Sequence, residues 1–347
     1  TLTVNTAADP SDGSDTLHRI ISDSGNLGFS GDGELYIAPE MEFTGLGGQT
    51  SFTGATTVNG GGKLYLTRTD ALGGSSELLI SGGSEVILQS VAEDYDEEAL
   101  TYLEQRMITI PGATNPLNTD ININLDAIGN TDATLDVRVD QTVNEVATGT
   151  NGTITVADGA TFTINGDVTG NGAISLTGSG NTTIAATSTL SSGATLGSEA
   201  SLTNNGTMTA DEETVAATFD GSGDSTTSNL TITNTGTIET DGSGDQNNAV
   251  YLKDSDQVTI NNSGTIEADG ATGIHLKGSV GANIDNSGQI IAGGNNAVFI
   301  EDSTNATITN NGTIRSGNDD GIDLESSDGA TVTNTGTITA DGDHGLF

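Results

Sequence analysis

From about residue 200 the chain repeats one short phrase, Ile-x-Asn-x-Gly-x-Ile-x-Ala. Its glycines stand at Gly206, Gly236, Gly264, Gly288, Gly312 and Gly336, so the last spacings settle at 24 residues. Four residues before each Gly lies Leu202, Ile232, Ile260, Ile284, Ile308 or Val332, and two after it Met208, Ile238, Ile266, Ile290, Ile314 or Ile338. Apolar and polar positions alternate with period two, the pattern of a half-buried strand. A second alternating run follows in each unit: Ala249–Leu252, Gly273–Leu276, Ala297–Ile300 and Gly321–Leu324. A third short element is expected around Val258, Ala282, Ala306 and Ala330. Three short strands in 24 residues leave no room for a crossover helix. The arrangement that fits is one coil of a right-handed parallel β-helix, each coil pairing with the next about 4.8 Å along the axis.

Every unit also carries Asn two residues before its Gly: Asn204, Asn234, Asn262, Asn286, Asn310 and Asn334. Asn tolerates left-handed backbone and bonds nearby main chain. Stacked in register, each amide can also bond the next, so a structural ladder is expected at these six positions. Acidic insertions, Asp220–Asp224 and Asp241–Asp245, lengthen two of the units and belong in turns.

Residues 139–347 thus read as a C-terminal β-helix with 24–30-residue repeats, the coils before 200 being less regular. Residues 93–138 read as a helix and loop insertion. Its helix spans 94–107, with Asp96 as cap, Leu100, Leu103 and Met107 as an apolar stripe, and Pro111 as the stop. Residues 1–92 read as β again, through Glu34–Ile37, Lys63–Leu66, Glu77–Ile80 and Glu85–Leu88. About 12–14 coils are expected, an axial length of about 60–70 Å.

The stretch Ser51-Phe-Thr-Gly-Ala-Thr-Thr-Val-Asn-Gly60, followed by Lys63-Leu-Tyr-Leu66, resembles the short repeat of bacterial autotransporter passenger domains. The opening Thr1–Thr6 with Thr16–Ile21 is similar to the first coil of secreted β-helix surface proteins, and the Asn-x-Gly-x-Ile units resemble those of large-adhesin passengers. The resemblance implies a secreted protein on the exterior of a Gram-negative outer membrane, structural or adhesive and not an enzyme, whose partners are cell-surface glycans or further copies of itself. The chain ends at Phe347 inside a coil, so a fragment, or a passenger cut from something longer, is expected. The runner-up is a polysaccharide lyase or other carbohydrate-active enzyme on the same scaffold.

Charge narrows the partners. With 48 Asp+Glu against 8 Lys+Arg the net charge is −40, so a nucleic-acid partner, which requires clustered Lys and Arg, is not expected. No apolar run approaches the roughly 18 residues of a membrane span, so direct membrane insertion of this chain is not expected. The absence of Cys removes disulfides and thiolate metal sites.

No catalytic residue is assigned. His18, His275 and His344 are scattered; His275 occupies an outward strand position that other units fill with Tyr251, Phe299 and Asp323. Arg315, whose equivalents include Glu239 and Glu267, reads as a surface residue, and no organic cofactor is implied. Acidic Gly-rich turns leave two readings open, a solvated surface or weak calcium sites with Asp241, Asp245, Asp319 and Asp320 as the candidate ligands. The outward hydroxyls and amides beside each Asn suit carbohydrate or ice, and equally the solvation any β-face needs. That face is interrupted by Asp285 and Gln289.

Overall fold

A computed structural model describes residues 2–6, 14–17, 27–31, 34–37, 55–59, 61, 63–66, 72, 76–81, 83–88, 117, 119–125, 133–148, 152–170, 173–210, 214–218, 229–240 and 247–347. All regular structure among them is β-strand, and every strand pairing is parallel. The chain is a parallel β-solenoid divided into two compact units, Thr1–Ile164 and Asn165–Phe347.

In the first unit one sheet stacks Leu2–Thr6, Leu27–Gly31, Ala55–Asn59, Glu77–Ile80, Asn122–Leu125 and Val146–Thr148. A second stacks Ser14–Leu17, Glu34–Ile37, Lys63–Leu66, Glu85–Leu88, Ala133–Val137 and Gly152–Val156. A third sheet first appears with Gln141–Val143 on Thr161–Ile164, so earlier coils contribute two strands each among the described residues. Asn122–Leu125 and Ala133–Val137 lie in the span expected as an insertion, yet they continue the two ladders. The helix expected at 94–107 lies outside the described residues.

The second unit has three strands per coil. In the coil from residue 259, Thr259–Asn262 belongs to the third sheet, Thr265–Ala268 to the first and Ile274–Lys277 to the second. The repeated phrase is therefore two strands, divided at Ser263–Gly264, and not the single strand its alternation suggests. Val258, Ala282 and Ala306 are buried residues immediately ahead of the third-sheet strand and form no strand of their own.

Register is exact from coil to coil. Ile232 faces Ile260, Ile284 and Ile308 in turn; Ile238 faces Ile266, Ile290 and Ile314; Val250 faces Ile274, Val298 and Ile322. All of these are 0–1% exposed, so each coil contributes several fully buried aliphatic side chains at about 1.5–3 kcal/mol apiece. Identical or β-branched near-identical neighbours above and below let each aliphatic column pack tightly at strand spacing.

The glycine of the phrase has a steric reason. A Cβ at Gly264 would stand 2.1 Å from the carbonyl oxygen of Gly236, and one at Gly288 2.1 Å from that of Gly264. Stacked coils touch backbone to backbone at this bend. Any side chain would force them apart.

Candidate functional site

The bend that brings the glycines together also turns the six asparagines inward. Each Nδ2 donates to the next Oδ1 at 2.8 Å, from Asn204 through Asn234, Asn262, Asn286 and Asn310 to Asn334. The same amides donate to Thr237, Thr265, Gln289, Thr313 and Thr337 carbonyls at 2.8–3.1 Å. The first five asparagines are buried, and Asn334 is exposed. None of the six has a left-handed backbone; those conformations fall elsewhere in the coil. The reason for Asn is thus the amide's two N–H donors beside one carbonyl acceptor, a set that among uncharged side chains only Asn and Gln supply.

Two further columns were not anticipated from the sequence. Ser279, Ser303 and Ser327 accept backbone N–H bonds from Ser255, Ser279 and Ser303 at 3.0–3.4 Å. They sit between two left-handed positions per coil, Asp254, Gly278, Asp302 and Ser326 on one side, Gln257, Gly281, Asn305 and Gly329 on the other. The signal was present, since serine recurs at 255, 279, 303 and 327. A third column precedes the second sheet: Asn248 Oδ1 accepts from Thr272 N–H, Asn296 Oδ1 from Asp320 N–H, and Asp320 Oδ1 from His344 N–H.

The remaining polar and aromatic columns lie on the outward faces. On the second sheet Tyr251, His275, Phe299 and Asp323 form one outward column, and Lys253, Lys277, Glu301 and Glu325 the adjacent one. The His275 ring lies 5.1 Å from that of Tyr251 and 4.8 Å from that of Phe299, stacked on the latter at 27°. Glu301 accepts from Lys277 Nζ at 2.6 Å and meets His275 Nε2 at 3.1 Å. Burial lowers the pKa of His275, only partly opposed by Glu301. Burial alone would raise Glu301, but the hydrogen bonds from Lys277 and His275 outweigh it and hold the carboxyl below its ordinary value. Asp323 is raised, first by burial and then by Asp320 and Glu325.

A shallow hollow of about 300 Å³ opens on the outward side of the third sheet, lined by Thr233, Asn261, Ser263, Asp285, Ser287 and Asn311. It is part of the hydroxyl and amide face recognised in the sequence. Of the four expected calcium ligands, Asp241 and Asp245 lie outside the described residues. Asp319 is partly exposed and donates its N–H to Ser316 Oγ, whereas Asp320 is buried. Asp320 is joined by Asp343 and His344, with ligand atoms all within 4.8 Å of one another. Arg315 pairs with Asp341 at the surface. His18 lies outside the described residues.

The chain matches no protein-family model, no curated protein and no solved structure. Its fold rests on its own ladders.

Proposed function

We propose that this chain is a secreted bacterial surface solenoid, structural and adhesive in role, that associates with further copies of itself and with cell-surface glycans on the exterior of an outer membrane. The observation that carries the reading is the charge order on the second sheet: Lys253, Lys277, Glu301, Glu325, one per coil. Two such columns related by a two-fold axis set Lys253 against Glu325 and Lys277 against Glu301 of a second copy. A face of this kind is self-complementary, which an isologous interface requires. Tyr251, His275 and Phe299 beside it supply ring surface of the type enriched in interface cores. A net charge of −40 repels copies in most orientations, so a face with two lysines selects the orientation that pairs them. The autotransporter-like phrase Ser51–Gly60 supports export, and the polar hollow beside Asp285 suits a glycan's hydroxyls.

The reading is non-catalytic, because the amides and hydroxyls fixed by the repeat are engaged in holding coils together. Sedimentation velocity at about 0.15 M salt, where the general repulsion is screened, tests it. The parent should self-associate, while Lys253→Glu/Lys277→Glu and Glu301→Lys/Glu325→Lys should each stay monomeric and re-associate when mixed. A monomeric parent, or a mixture without complexes, would remove self-association. Unsaturated or reducing products from a panel of acidic polysaccharides would remove the non-catalytic reading.

A further inference from the structure

The column formed by Asn248, Thr272, Asn296 and Asp320 changes character at its last member. Three coils place a neutral side chain at this buried position, and the fourth places a carboxylate that is 6% exposed. A buried carboxylate requires compensation by a cation or by several hydrogen bonds. One coil further along stands His344. Its N–H donates to Asp320 Oδ1 at 2.7 Å, and its Nδ1 lies 3.4 Å from Asp320 Oδ1 and 2.6 Å from Asp343 Oδ1.

The single imidazole is outnumbered. Asp323 and Glu325 add carboxylates in the adjoining strand, and Asp323 feels the charges of both Asp320 and Asp319. Asn296 bridges the group, accepting from Asp320 N–H and donating to Asp323 Oδ2. Asp323 Oδ1, in the strand that follows, is buried without a hydrogen-bond partner.

The geometry points to a divalent transition-metal site formed by Asp320, Asp343 and His344. Ligand atoms about 2.0–2.2 Å from a zinc ion lie about 3–3.5 Å apart, the separation already present between Asp320 Oδ1 and His344 Nδ1. Asp343 and His344 are more than half exposed, and the His344 ring rests against that of Phe347 with its Nδ1 turned to both carboxylates. The imidazole decides the class of metal. Calcium prefers a shell of oxygens, whereas a mixed nitrogen and carboxylate set favours zinc and its neighbours, with water completing the shell. The expected calcium ligand Asp320 is thereby reassigned, and Asp319 falls outside the set.

The imidazole resonances of the whole chain, followed by NMR during titration with zinc chloride after chelator treatment, test this directly. Those of His344, identified with His344→Ala, should shift and saturate at one equivalent. Asp320→Asn should weaken binding at least about tenfold, in line with the cost of disturbing a metal site's supporting residues. That variant keeps the fold, because Asn already occupies the position in two other coils, and circular dichroism verifies it. Calcium at matched ionic strength should leave His344 unmoved. A His344 resonance unaffected by zinc, or shifted as strongly in Asp320→Asn, or shifted equally by calcium, would overturn the assignment. Self-association does not enter this measurement, so the two proposals fail separately.

Discussion

His275 shows how one outward residue is governed by its neighbours in adjacent coils. Stacking between Tyr251 and Phe299 buries the ring and lowers its pKa, so the folded chain holds this proton less tightly than the unfolded chain does. Unfolding then takes up a proton as pH falls below the ordinary histidine value of 6.5, and stability declines with it. Glu301 adds a separate loss at lower pH, as its depressed pKa makes its contribution disappear below 4.5. Thermal melts between pH 7 and 5 should therefore show a falling midpoint that is flatter in His275→Gln. Parallel curves for the two proteins would contradict the burial. At Asn286 the expected effect is on stability alone. Asn286→Ala breaks the bonds to Asn262 and Asn310 and strands both partners in the interior, at a cost of about 1–3 kcal/mol in urea unfolding. Asn334→Ala, at an exposed position, should cost clearly less. The asparagines were legible because the same letter returns in all six units. The serine column was equally periodic, but serine is common here and its partner is a backbone N–H, so nothing in the letters separated it from solvated surface.

At the scale of the strand, the alternation predicted burial correctly and continuity incorrectly. Ile290 is fully buried and Ile291 is not, as period two requires. Ile290→Asp should abolish cooperative folding and Ile291→Asp should leave the melting midpoint nearly unchanged, because adjacent strand residues face opposite sides. Comparable damage from both would mean a shifted register. Alternation cannot reveal the bend at Ser263–Gly264, since residues on either side keep the inward phase across it. The glycine was the available sign. Its meaning is contact between coils, and such contact exists only once the coils are stacked. The same limit hid the Asp320, Asp343 and His344 cluster. Asp320 and His344 are one 24-residue period apart, a relation visible only to a reader who already lays each coil over the last.

For the molecule as a whole, the fold class followed from the repeat and the solvent-facing chemistry from the charge. A chain with 48 acidic and 8 basic residues repels itself, and salt relieves that repulsion as the screening length falls from about 30 Å at 0.01 M to about 8 Å at 0.15 M. The melting midpoint should rise with sodium chloride across this range. A midpoint independent of salt would show that the paired carboxylates, such as Glu301 with Lys277, already dissipate the repulsion locally. The N-terminal third was less legible than the rest. Its coils vary in length, so no fixed period ties one strand to the next, and its short autotransporter-like phrase covers only one coil.

The glycine bend has a mechanical consequence. Where backbones touch at every turn and bonds run from each coil to its neighbour, a pull on the chain end loads the contacts of one coil at a time, as thread leaves a spool. Each released turn in the regular part of the second unit pays out 24 residues, about 80 Å of extended chain. The force needed is set by a single coil's ladders, however many coils lie beneath it. Such a structure yields in small equal steps under tension, and each step can close again against the intact coil below.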